Sequence, residues 1–465
     1  MRTRTTRKVA ARYTWDRLRV SFWFAPAVMA VVAVLLASAM FWVDSRVPNE
    51  MLENSRLILA GSVDELRNFL VTIAATTLAT AGVVFTLLTL PLSTVAAQYG
   101  SRLLRIFLGD RTTQLVLGMF VATFVYCLAA ATSIPPVELQ PEAPQLTVLV
   151  GLLLMMVTFG SLIALVQHIS IMLQAPNVAA AAGAKLVEVV SMEIPDEVTI
   201  GDNGKGGVET RPNFHDAKDI LTVENTVMET DGYPLRVRKT GYIQYVDPEI
   251  MLTLAIEKDL VISIQRKPGH FVWRGGVVAL VWPAGRVDEE LDRQISRAFR
   301  LGNARSPTQD IEYAVNLLVE MAVRAMSPAI NDPFTAMTCL DYIGEGLALF
   351  VRKGEKGSHY YDSEGRLRLV LEPVPFEDLL SDAFDMLRHA SCDNASVLLH
   401  MLGVIDVIGQ EAKSAEARQA LLRHITLIQI ESQAGTLIEQ DRQSIHRMCE
   451  TLLTKLADIS FAEAP

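Results

Sequence analysis

The stretch Phe69–Leu92 reads FLVTIAATTLATAGVVFTLLTLPL, 24 residues without an Asp, Glu, Lys or Arg. As a helix it rises ~36 Å, enough to cross the ~30 Å hydrocarbon core of a bilayer. It lacks the side chains that the core penalises most. Three more stretches share this character: Phe22–Val43, Thr113–Ser133 and Leu146–Val166. All four lie in the first 166 of 465 residues, and the remaining 299 read as water-soluble. The sequence therefore predicts a membrane protein: four transmembrane α-helices, then a cytosolic α+β region made of a small β-rich module and an α-helical bundle. The expected boundaries are 1–21 (basic N-terminus), 22–185 (transmembrane domain), 186–287 (β-rich module) and 288–465 (helical bundle).

Charge orients the chain. Seven Lys and Arg residues lie between Arg2 and Arg19, and the loop after the second span adds Arg102, Arg105 and Arg111. The opposite side offers Arg46, Arg56 and Arg67, and Ile134–Gln145 has no Lys or Arg. The positive-inside rule puts both termini in the cytoplasm. The first span is too long for a signal-peptide core and reads as an uncleaved anchor, with Trp15, Trp23 and Trp42 as interfacial anchors. Leu103–Leu108, flanked by arginines, reads either as a short interfacial helix or as a plain loop. Formal net charge is −10, divided into +5 through Lys185 and −15 beyond it. An acidic soluble region argues against nucleic-acid binding. Cys127, Cys339, Cys392 and Cys449 form no CxxC pair, so neither a disulfide framework nor a zinc site is expected.

The second span alone carries a polar stripe. At about 100° per residue, Thr72, Thr76, Thr80, Thr86, Ser93 and Thr94 fall on one arc of roughly 140°. Leu70, Ile73, Val84, Leu88 and Leu92 lie opposite, while Thr77 and Thr89 break the pattern. The stripe reads either as helix–helix glue or as a pore lining, whose hydroxyls replace part of a permeant's hydration. Four helices enclose no aqueous path, so a pore requires several copies in a ring. Pro91 is a hinge candidate or a simple terminator. No span holds the carboxylate or base of a proton-coupled pump. His168, just past the fourth span, reads as an interfacial histidine.

In the soluble region, Gly201–Gly207 is a loop by composition and matches no nucleotide-binding motif. Gly241–Val246, Leu260–Gln265 and Val277–Val281 read as strands, and Asp247-Pro248 as the cap of a short helix. The run from Asp259 to Pro283 resembles half of a lipoyl/biotinyl barrel-sandwich without its swinging-arm lysine, so no cofactor is implied. From Asp288 onward the pattern is helical. Ile311–Ala322 and Phe376–Leu387 carry core-facing stripes, followed by helices near Asp393–Gln410, Ala415–Gln433 and Glu439–Ile459. Lys353–Leu371 reads as an exposed loop or hairpin. Ser327–Thr335 (SPAINDPFT) joins two helices. There Ser327, Asn331, Asp332 and Thr335 are candidates for a ligand or inter-subunit contact, or simply for a well-capped turn. Arg305 and Asp310, just upstream, are candidates to join them through space. No hydrolase or metalloprotease motif occurs and the histidines are scattered, so enzymatic chemistry is not expected.

The segments WDRLRVSFWFAP, QYGSRLLRIFLGDRTTQLVLGMFVATFVY, RKPGHFV and SPAINDPFTAMTCLD resemble the signatures of a family of predicted bacterial membrane proteins known only as a domain of unknown function. The resemblance runs over most of the chain and implies this layout in a bacterial inner membrane. It supplies no substrate and no functional residue. The expected function is a homo-oligomeric pore or ion channel with the bilayer and monovalent or divalent cations as its partners. The outer loops hold seven acidic residues against three basic, which favours cations at the mouth. The alternative is a non-conducting sensor or scaffold that recruits a cytosolic partner.

Overall fold

The computed structural model describes residues 23–46, 62–98, 100, 102–103, 110–134, 144–194, 232–354 and 359–458. The basic N-terminus with Trp15, most of Leu103–Leu108, much of both outer loops and the Gly201–Gly207 loop lie outside the described residues. The chain divides into two compact units, 1–178 and 179–465. The division precedes the expected one at Lys185.

The first unit holds four long helices: α1 (Phe24–Asp44), α2 (Val63–Gln98), α3 (Arg111–Ser133) and α4 (Gln145–Met172). α3 is the central one, packed against each of the other three. Apolar matching alone drives little association where the solvent is itself hydrocarbon, so close approach and hydrogen bonds carry more weight. Gly118 of α3 lies so near α1 that a Cβ there would stand 2.4 Å from the Met29 sulfur. A Cβ on Gly151 of α4 would stand 2.8 Å from Leu70. Thr123 and Thr158 join α3 to α4 through a buried 2.7 Å hydroxyl pair, and the Tyr126 hydroxyl donates to the Thr147 carbonyl at 2.9 Å. Asp44, at the end of α1, accepts from the Leu146 and Thr147 amides and so caps α4. At the other end Asp110 caps α3 through the Thr113 amide and sits 3.1 Å from His168 Nε2, closing α3 onto α4.

The second unit begins within α5 (Ala175–Glu193). β1 (Tyr233–Arg236), β5 (Val277–Trp282), β3 (Val261–Ile264), β8 (Leu367–Val370) and β7 (His359–Tyr361) form one sheet in that order. Its pairs are antiparallel except β3 with β8, which is parallel. β4 (Phe271–Val272), β2 (Gly241–Val246) and β6 (Phe299–Gly302) form a second, antiparallel sheet. α6 (Pro248–Lys258) and α7 (Glu289–Ser296) share a core with these strands, built around Leu235, Ile243, Met251, Ile262, Val281 and Leu369. Asp247 caps α6 as the Asp-Pro pair predicts, accepting from the Ile250 amide. Two expectations are corrected. The strands do not end at 287, because β6 comes from the part read as helical, while β7 and β8 pair as a hairpin within Lys353–Leu371, read as a loop or hairpin, and join the sheet. The barrel-sandwich run from Asp259 to Pro283 is also not self-contained: β4 sits in one sheet and β3 and β5 in the other, which is completed by a hairpin about a hundred residues later. Strands of three or four residues show too little alternation to be seen in sequence, and a parallel partner must lie far along the chain.

The rest is helical: α8 (Ile311–Ala325), α9 (Pro333–Lys353), α10 (Phe376–Ala390), α11 (Ala395–Glu411), α12 (Ala415–Ala434) and α13 (Glu439–Asp458). The predicted stripes on α8 and α10 are buried. α9 is a fifth helix long and apolar enough to cross a membrane by length and composition, alongside α1 to α4.

Candidate functional site: a hydroxyl face on the second apolar helix

α2 shows two unlike faces. Leu66, Leu70, Ile73, Thr77, Val84 and Leu88 are buried within the unit. Thr72, Thr76, Thr86, Ser93 and Thr94 are exposed on the other side, and Thr80 is half-buried between them. All six predicted stripe residues therefore fall on the side that the described helices of the unit leave largely open, which also exposes Val71, Leu78, Val83, Phe85, Leu87 and Leu90. The hydroxyls that join helices inside the unit are others, Thr123 and Thr158 on α3 and α4.

The stripe is chemically one-sided. Thr72 donates to the Asn68 carbonyl at 2.7 Å, Thr76 to Thr72 at 2.9 Å and Thr80 to Thr76 at 2.8 Å. Thr86 donates to Gly82 at 3.1 Å, and Ser93 and Thr94 to Leu90 at 2.9 and 3.1 Å. Each proton is consumed by the helix backbone, which leaves the oxygen lone pairs to whatever covers the face. Such a surface accepts hydrogen bonds or cations and has no donors to leave unsatisfied. From Thr72 to Thr94 it runs ~33 Å, about the thickness of the hydrocarbon core. Between the hydroxyls, Ala75, Ala79 and Gly82 are exposed as well, and a Cβ on Gly82 would meet nothing within 4 Å. The sequence reading, guided by hydroxyls, missed these small residues. Their i, i+4, i+7 spacing was the available signal.

Pro91 is not a terminator: α2 continues through it to Gln98. Its missing N–H removes the donor that the Leu87 carbonyl would meet in a regular helix.

The second candidate group lies at the corner between α8 and α9. Asp332 accepts from the Thr335 amide at 3.1 Å and the Thr335 hydroxyl at 2.6 Å, so both carboxylate oxygens cap α9. The Asn331 amide donates to the Ser327 carbonyl at 2.8 Å, with Asn331 in the left-handed region (φ 48). Ser327, Asn331, Asp332 and Thr335 are thus brought together, largely by backbone and capping bonds. Beside them Ile330 and Phe334 are exposed, Phe334 by 77%.

Arg305 and Asp310 do not join this corner. Asp310 caps the opposite end of α8, a 15-residue helix about 22 Å long. There Arg305 grips it with two 2.7 Å bonds, and Lys267 meets Glu312 at 2.5 Å. Burial drives the Asp310 carboxyl upward against the pull of Arg305. The RKPGHFV segment closes over this cluster: Gly269, at φ +93, stands where a Cβ would be 2.4 Å from Asp310 Oδ2. A cavity of about 70 Å³ lies alongside, lined in part by Lys267, Asp310 and Glu312. No three His, Cys, Asp or Glu side chains converge as metal ligands among the described residues.

Several long apolar helices followed by a region of sheets and helices define a membrane protein. The chain belongs to the family DUF2254, described as a predicted membrane protein, whose profile matches residues 19–406. It is 25% identical over 395 residues to an uncharacterised protein of Mycobacterium bovis and to one of Mycobacterium tuberculosis H37Rv, covering 84% of this chain and 72% of theirs. A third, from M. tuberculosis CDC 1551, is 24% identical over the same span. No solved structure matches the chain.

Proposed function

We propose that the protein is a homo-oligomeric, cation-preferring pore of the bacterial cytoplasmic membrane, with α2 from each copy lining the path. The observation that carries this reading is the outward face of α2, whose hydroxyls point acceptor oxygens away from the subunit. Cations and water protons both seek such oxygens. In this reading α1 to α4 are the spans, both termini are cytoplasmic, and the second unit shapes or gates the pore. α9 belongs to the soluble bundle, since half of its apolar window is buried and it carries Asp341 and Glu345. The Asn331–Phe334 corner, with Phe334 exposed, favours a second reading: a non-conducting scaffold that docks a partner there.

The test is current through a planar bilayer under asymmetric KCl. Unitary currents that shrink in Thr76→Trp and Thr86→Trp, with a reversal potential on the cation side, are expected. A silent bilayer with folded protein in both orientations sinks the pore and turns attention to Phe334→Ser and partner capture.

A further inference from the structure

A cleft in the second unit has the opposite charge to its surroundings. Residues 186–465 carry a net −15. Yet Arg238, Lys239, Arg293, Arg297 and Arg300 all line one opening of about 480 Å³ between the β1–β2 loop, α7 and β6. All five are exposed. Asp292 answers Arg238 at 3.0 Å, and Glu289 and Glu290 answer Arg293 at 3.9 and 3.4 Å. Among the described residues, no carboxylate lies within ion-pair distance of Lys239 or Arg297. Ser296 also lines the cleft, and its buried hydroxyl has no hydrogen-bond partner. Like charges gathered this closely repel unless a counter-charge sits among them. Guanidinium groups present paired donors that match phosphate oxygens.

A second feature adjoins the cleft. The Val237 amide donates to Gly276 and the Gly275 amide to Val237, while the Arg274 amide donates to the Thr240 hydroxyl. These bonds tie the Arg238–Lys239 wall to the turn that carries Trp273, which is 64% exposed. An exposed indole beside cations is the combination that settles at a phospholipid headgroup layer.

We propose that this cleft binds a phosphate-bearing anion, with Lys239 and Arg297 as its principal charges and the Ser296 hydroxyl donating at its floor. The proposal is independent of the pore reading. Phosphate reaches such a site either as a soluble ester or as a lipid headgroup, and the experiment separates the two. Full-length protein in an uncharged detergent is titrated by calorimetry with pyrophosphate and, separately, with dihexanoyl phosphatidylglycerol. Saturable binding of at least one probe is expected, weakened roughly tenfold or more in Lys239→Glu/Arg297→Glu. It should be unchanged in Arg266→Glu, an exposed arginine outside the cleft lining. Preference for pyrophosphate assigns a soluble ester, and preference for the lipid, reduced by Trp273→Ser, assigns a headgroup. If the double variant melts early, Arg297→Gln, which only removes charge, carries the comparison with an expected loss of the same sign. Binding of neither probe, binding that survives removal of the cleft charges, or equal loss in Arg266→Glu overturns the site.

Discussion

Gly269 shows how one residue holds two parts of the second unit together. Its positive φ suits glycine, and its missing Cβ leaves room for Asp310. Gly269→Ala should lower stability by about 2 kcal/mol or more, read as an earlier melt of the detergent-solubilised protein. Gly285→Ala, with nothing within 4 Å, should do far less. His424 is the second residue with a measurable signature. It is fully buried, neither ring nitrogen has a hydrogen-bond partner, and the Asp385 carboxylate stands 3.9 Å off. Burial pushes its imidazole down to about 4 from the ordinary 6.5. As pH falls below 6.5 the unfolded chain takes up a proton that the folded chain refuses until about 4. Its contribution to stability is therefore whole above pH ~6.5, declines across that window and is gone below about 4, a loss of roughly 3 kcal/mol. Melts between pH 7.5 and 4.5 should show this decline, and His424→Leu should lack that share of it. Residues such as these are hard to see in a sequence. Gly269 reads as any turn glycine until its neighbour Asp310 is known, and His424 reads as one scattered histidine among several.

Among the elements, the long ones were legible and the short ones were not. α2 announced its span, and its 3.6-residue period placed Leu70, Ile73, Val84 and Leu88 on the buried side. The stripes of α8 and α10 and the Asp caps of α6 and α9 were equally plain. The α3–α4 seam was not, because Thr123, Thr158 and Gly151 are single residues in apolar runs whose meaning depends on the partner helix. Thr123→Val should cost about 0.6 kcal/mol through the lost Thr158 bond. Thr76→Val, on the open face, should leave the melting temperature almost unmoved. The β7–β8 hairpin depends on a buried ion pair. Arg368, 4% exposed, bonds Asp362 at 2.8 Å and Asp259 at 2.8 Å. Arg368→Met leaves Asp362 with the exposed Arg366 and the Glu364 and Arg366 amides and should cost about 1–3 kcal/mol, measured as loss of second-unit protection in hydrogen exchange.

At the scale of the whole molecule, the question is what covers the hydroxyl face. Cys127, Cys339 and Cys449 are buried and Cys392 is half-buried. A cysteine placed at Thr76 would therefore be the most accessible thiol on the described surface. In a ring built on α2, Thr76→Cys should give disulfide-linked dimers under mild oxidation, while Leu153→Cys, on the exposed flank of α4, should not. The reverse pattern assigns the hydroxyl face to lipid. The stripe from Thr72 to Thr94 is legible from residue spacing alone, since spacing is a local property of one helix. The direction of its protons and the openness of the face are not, because both depend on backbone carbonyls and on neighbouring helices.

The parallel contact of Ile262 with Leu369 has a consequence for biosynthesis. β3 leaves the ribosome roughly a hundred residues before β8 can cover its edge. At ~5–20 residues per second that interval is on the order of 5–20 s. Throughout it the nascent chain, already committed to the bilayer at its front, trails an uncapped strand rich in Val and Ile. A transcript that stops short of the hairpin would leave that edge open permanently, so premature termination in this gene should yield insoluble membrane-tethered aggregates rather than a smaller working protein.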